Sequence, residues 1–183
     1  MSNKFDWYRL EIWKNFDDRY TEIVRVYDFC KGGLGEDVNK DTFAYHTKML
    51  FENRRVFCSE EAMKLIEQSD VYDPDEIDLL RKGEVQEKYL QAKTHNFKRK
   101  TNFNVSFVWE HVVPASVIIE LFCKDQSKKN YLNLIELGAV CIVTQDEDKR
   151  LTNNHLRDKM PDGWKLGDDI WARYDKAGIK VVK

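Results

Sequence analysis

Phe103-Asn104-Val105-Ser106-Phe107-Val108-Trp109-Glu110-His111-Val112-Val113 is dense in β-branched and aromatic side chains, which fit a pleated, half-buried surface, so it predicts a strand. Pro114 has no amide hydrogen to give a ladder and ends it. Working forward, Ala115 to about Lys124 predicts a short helix, Asp125 to Asn130 a polar turn, and Tyr131 to Leu137 a second apolar segment. Gly138 then opens a compact strand, Ala139 to Val143. Thr144 offers a helix cap and Glu147, three residues on, completes a Thr-x-x-Glu capping box. The helix it starts is predicted from Gln145 to about Asp158, ahead of Pro161, and Val181-Val182 reads as a short strand near the end.

Working backward, the texture changes. Between Lys88 and Trp109 stand Lys88, Lys93, Lys98, Arg99 and Lys100 without one Asp or Glu. That is a local positive surface, readable as a basic linker or as a phosphate-binding segment through Lys93, Lys98, Arg99 and Lys100. Upstream, Asp73-Pro74-Asp75-Glu76 supplies an N-cap acid, a first-turn proline and a capping-box Glu, predicting a helix that continues past Leu80 toward Gln91 despite Gly83. Helical spacing also marks Ser59 to about Gln68, Asp41 to Phe57, and Phe5 to Cys30, the last closed by Gly32, Gly33 and Gly35. Those glycines lack the spacing of a phosphate loop and read as a turn. Residues 1–92 are therefore expected to form a mainly helical region, followed by a mixed region over 93–183.

The 183 residues carry 30 Lys+Arg against 32 Asp+Glu, a net charge of −2, so neither a polybasic coat nor an acidic tail governs the chain. With 42% hydrophobic residues, only eight Gly and three Pro, it can fill a core, which excludes collagen-like and wholly disordered classes. Its apolar runs fall far short of the roughly 20 residues needed to span a bilayer, so no membrane partner is expected. The first residues reach charge at once, and a cytoplasmic location is expected. Cys30, Cys58, Cys123 and Cys141 form no C-x-x-C pair and read as reduced, buried thiols.

Chemistry concentrates at Glu110-His111. An acid followed at once by a histidine points to opposite faces of a strand unless the strand ends there, and Pro114 says that it does. Both groups can then address one cleft, the carboxylate as a hard oxygen ligand for Mg²⁺ and the imidazole as a base with an unperturbed pKa near about 6.5. Downstream, Thr152-Asn153-Asn154-His155 offers a ligand at each of four consecutive positions. If Leu151 faces the core, Asn154 and His155 share its face.

Glu-His-Val-Val-Pro at 110–114, followed by an excursion, a short strand and a helix bearing Asn and His, resembles the HNH, or ββα-metal, nucleases. The resemblance covers about Phe103 to Met160. It implies an α+β chain with a ββα-metal (HNH-like) C-terminal region behind the helical N-terminal one. It implies an endonuclease that hydrolyses phosphodiester bonds in DNA, with His111 as general base and Glu110 as an acid that helps hold one divalent cation, Mg²⁺ or else Mn²⁺. Asn154 or His155 matches the helix ligand, His155 being slightly preferred, and Asn133 matches the middle Asn only by weak spacing. Arg150 or Arg157 would neutralise a neighbouring phosphate. The gap of 44 residues from His111 to His155 is longer than the family's compact pattern, and its cysteine pairs are absent. Two copies acting as a homodimer would suit double-strand cleavage. The rival expectation is a catalytically inactive module that binds nucleic acid or protein on a nuclease-like scaffold, as a phage or defence factor would.

Overall fold

A computed structural model describes residues 16–30, 55–83, 85–86 and 106–183. Among these the chain is a mixed α+β structure of seven helices around one sheet. Helix α1 (Phe16–Cys30) comes first, then strand β1 (Arg55–Ser59), α2 (Glu60–Glu67), α3 (Pro74–Lys82) and β2 (Val85–Gln86). They are followed by β3 (Phe107–His111), α4 (Ala115–Lys124), α5 (Lys128–Ile135), β4 (Val140–Thr144), α6 (Gln145–Asn153), α7 (Ala172–Lys176) and β5 (Val181–Val182).

The sheet runs β2-β1-β4-β3, with β5 also on β1. Strand β1 lies parallel to β4, pairing Phe57 with Cys141, and β3 lies antiparallel to β4, pairing Trp109 with Ile142 and His111 with Val140. Alternation sorts the side chains. Val56, Cys58, Ile142, Phe107 and Trp109 meet Ala62, Met63, Ile66 and Leu80 of α2 and α3 on one face. Phe57, Cys141, Val143 and Val108 meet Leu151, Trp171 and Tyr174 on the other. A third core joins Tyr20, Ile23, Val24 and Tyr27 of α1 to Phe122, Tyr131 and Leu134 of α4 and α5.

Three predicted helices are corrected. The one expected over 41–57 gives way at Arg55, because Val56-Phe57-Cys58 is a fully buried run in the middle of a sheet, and such a run has no amphipathic period to read. Residues 41–54 lie outside the described part. The helix from Pro74 starts with the capping box the sequence announces, but it stops at Lys82, where Gly83 turns left-handed at φ 63° and closes the last turn. The helix from Gln145 stops at Asn153, five residues short of Asp158. The apolar segment near Tyr131 is a helix that begins earlier, at Lys128, capped by Ser127. Cys58 and Cys141 are buried and Cys123 is half-buried, and none of the three is in a disulfide. Among the described residues no helix is long and apolar enough to cross a membrane.

Candidate functional site

The hairpin of β3 and β4 with α6 directly behind it sets the site. Strand β4 is buried at every residue, and Thr144 ends it while capping α6. Glu147 closes the box from inside. Its carboxylate accepts from the Ser59 hydroxyl at 2.6 Å and from the Thr144 amide at 2.8 Å, tying the ends of β1 and β4 to the helix. The result is a helix whose far end points reproducibly at the last residues of β3.

That far end closes in a left-handed turn. The Leu156 amide donates to the Leu151 carbonyl at 2.8 Å and the His155 amide to the Thr152 carbonyl at 3.0 Å, the paired bonds of a Schellman motif. His155 occupies the position that usually belongs to glycine, at φ 56°, and it is the one non-glycine residue with positive φ among those described. This conformation costs an L-residue about 1–2 kcal/mol. Asn154 caps the helix, its Nδ2 donating to the Arg150 carbonyl at 2.8 Å.

Beyond the turn, the chain folds back across the end of β3 and leaves a cleft of about 750 Å³. Trp109, Glu110 and His111 form one wall, and Pro114, Ala115 and Ser116 at the start of α4 form the next. Thr152 and His155 of the α6 end face them, with Arg157, Asp158 and Lys159 on the loop and Arg173 from α7 beneath. The Ser116 hydroxyl donates to the Asp158 carbonyl at 2.8 Å, holding the loop to α4. Glu110 and His111 thus do address one cleft, because His111 is the last residue of its strand.

Two cations at the cleft, Arg157 and Lys159, are exposed, and the exposed Asp158 lies between them in the chain. Glu110 is largely buried, with a side chain 14% exposed. Burial pushes its carboxyl above the usual carboxylate range; the Arg173 guanidinium, 3.0 Å from Oε2, pulls it down, and the charge of Asp148 pushes it up again. Asp148 itself has a buried oxygen, Oδ1, without a hydrogen-bond partner.

The expected residues separate on this frame. Glu110, His111, His155 and Arg157 come together at the cleft. Asn154 faces solvent, and Arg150 turns away to pair with Glu61 at 2.8 Å on α2. Asn133 is exposed on α5. Lys93, Lys98, Arg99 and Lys100 lie outside the described residues. Arg173 was not among the expected residues, and neither was Lys159. Lys159 had a readable signal, two residues after Arg157; Arg173 had none, since a lone arginine in a charged tail looks like any solvated side chain.

The donors at the cleft suit some metals and not others. Glu110 and His155 could give a divalent cation one hard oxygen and one nitrogen, with the negative charge of Asp148 nearby. The carboxylate suits Mg²⁺, which takes oxygen ligands and keeps several waters, whereas the imidazole nitrogen is better matched to a transition-metal ion. Among the described residues no three His, Cys, Asp or Glu side chains form a metal-holding group. Comparison with protein-family models, with curated proteins and with solved structures finds no match to this chain.

Proposed function

We propose that the chain is a metal-dependent endonuclease that hydrolyses phosphodiester bonds in DNA, with His111 as general base. The observation that carries this reading is the convergence of the β3 end, with Glu110 and His111, and the α6 end, with His155, on one cleft rimmed by Arg157 and Lys159. Mixed cationic and carboxylate linings of this kind bind phosphate and activate water; an apolar ligand pocket has neither.

In this mechanism Arg157 and Lys159 bind the phosphates that flank the scissile bond. His111, in its neutral form, accepts a proton from the attacking water, a role worth roughly 10²–10⁴-fold in rate. Glu110 and His155 would hold the divalent cation, which when bound supplies charge neutralisation at the phosphate and at the departing oxygen. The basic segment with Lys98, Arg99 and Lys100 contributes sequence-independent affinity for the backbone.

A nicking assay on supercoiled plasmid tests the reading. The protein in Mg²⁺ or Mn²⁺ is expected to nick, and His111→Ala to bind DNA with little change while losing nicking by at least about 100-fold. Equal nicking by both would exclude the base. The rival, an inactive binding module, is favoured by one feature, the engagement of Glu110 by Arg173, which would serve a purely structural pair equally well. It is distinguished by tight DNA binding with no cleavage of single- or double-stranded substrates in any metal.

A further inference from the structure

Arg173 has no solvent exposure, although an arginine is among the residues least often buried. Its guanidinium has five N–H donors in a rigid fork, and five acceptors meet it. Nε donates to the Val112 carbonyl at 3.0 Å, Nη1 to the carbonyls of Leu156 at 2.7 Å and Arg157 at 2.9 Å, and Nη2 to Glu110 Oε2 at 3.0 Å and to the His111 carbonyl. The acceptors fall into two groups: the end of β3, which carries the acid and the imidazole, and the loop just after His155, which carries the phosphate-binding arginine.

We infer that Arg173 is the positioning residue of the site, a single side chain that sets the β3 end against the loop after α6. The inference rests on the nuclease reading for its catalytic consequence, and it extends the site beyond Met160 into the C-terminal segment. That segment is anchored independently of the cleft. Trp171 and Tyr174, on either side of Arg173, are buried against the sheet, and the Trp171 ring stands edge-on to Phe57 of β1 at 4.9 Å. The fork is therefore delivered from the core outward. Lysine cannot replace it, because one ammonium nitrogen cannot span acceptors on two separate segments.

Arg173→Lys tests this, assayed well below its melting temperature so that all molecules are folded. Misplacement of the reacting groups is expected to lower kcat by about 10- to 100-fold while KM stays within about threefold. Because Arg173 acts partly through His111, the double variant with His111→Ala should lose less activity than the product of the two single losses. A merely structural arginine would leave kcat per folded molecule at the wild-type value, and that result overturns the proposal.

A second readout needs no activity. The Val112 amide, bonded to the Ala139 carbonyl, and the Leu156 amide, bonded to the Leu151 carbonyl, sit on the two segments the fork joins. Both should exchange hydrogen faster in Arg173→Lys, with the amides of β4 unchanged; retained protection at both overturns the coupling even if the wild-type protein cleaves nothing. Should the variant not fold, the wild-type protein decides alone. Its Arg173 guanidinium protons should give separate, slowly exchanging resonances, and a single averaged signal would contradict the fixed fork.

Discussion

At its first turn α6 is held by Thr144 and Glu147, buried groups that bond each other and Ser59; at its last turn, nine residues on, the chain leaves through a histidine held at φ 56° in solvent. The first end satisfies its backbone donors and joins three elements, so it lowers the energy of the fold. The second stores backbone strain that a glycine would release, and it does so beside a cleft containing an acid, a base and two exposed cations. Strain that persists where a simple substitution would remove it is a mark of function.

Removing the first end should have the largest effect on stability. Glu147→Ala leaves the Ser59 hydroxyl and the Thr144 amide without their acceptor and opens a cavity, and is expected to cost about 3 kcal/mol in urea unfolding. Unchanged stability would show that the box is ornamental. Next is Gly83→Ala, which probes the same left-handed conformation at a packed position. A Cβ there would lie 2.7 Å from Phe57 Cε1, and Phe57 is itself wedged against Trp171, so a loss of about 2 kcal/mol is expected, adding the conformational cost to a modest overpacking cost. A loss under half of that would mean the ring yields freely.

His155→Gly reverses the sign. Nothing packs over this exposed position, and the substitution is expected to raise stability by about 1 kcal/mol in thermal or urea unfolding while lowering cleavage. Loss of both stability and activity would assign His155 a structural role. The two helix ends would then differ less than their geometry suggests.

The smallest effect is a slope. Burial raises the Glu147 carboxyl above its ordinary 4.5, against the lowering influence of its bonds from Ser59 and Thr144. An acid so raised stabilises the fold fully below its unfolded value, and that contribution is lost as pH rises through the folded value. Stability of the wild-type protein relative to Glu147→Gln should therefore decline from about pH 4.5 upward until the folded pKa is passed. A difference that is flat, or that grows with pH, would contradict a raised carboxyl.

The same contrast explains what could be read from the sequence. Capping boxes use fixed residue types at fixed spacing, so Asp73 to Glu76 and Thr144 to Glu147 announced their helices correctly. Strand β4 and the β3 end were legible for the same local reason. Strand β1 was not, because a buried run such as Val56-Phe57-Cys58 fits a helix or a strand until its neighbours, β4 and β2, are known. The end of α6 was missed because nothing in Asn154-His155 signals a left-handed turn where glycine is the usual marker. Glu110, His111 and His155 stand out in the sequence by residue type, and the fold brings all three to one cleft. Arg173 was not, since its role depends on acceptors 16 to 63 residues away along the chain.

On the proposed reading, Glu110 and the end of α6 share one divalent cation in the cleft. Stoichiometric Mn²⁺ added to isotope-labelled protein tests this directly, since the paramagnetic ion broadens only nearby resonances. A shared cation predicts selective loss of the Glu110, His111 and His155 signals, reversed by excess Mg²⁺ and abolished in Glu110→Gln. Broadening that spares these three residues, or that survives the loss of the Glu110 charge, would contradict it.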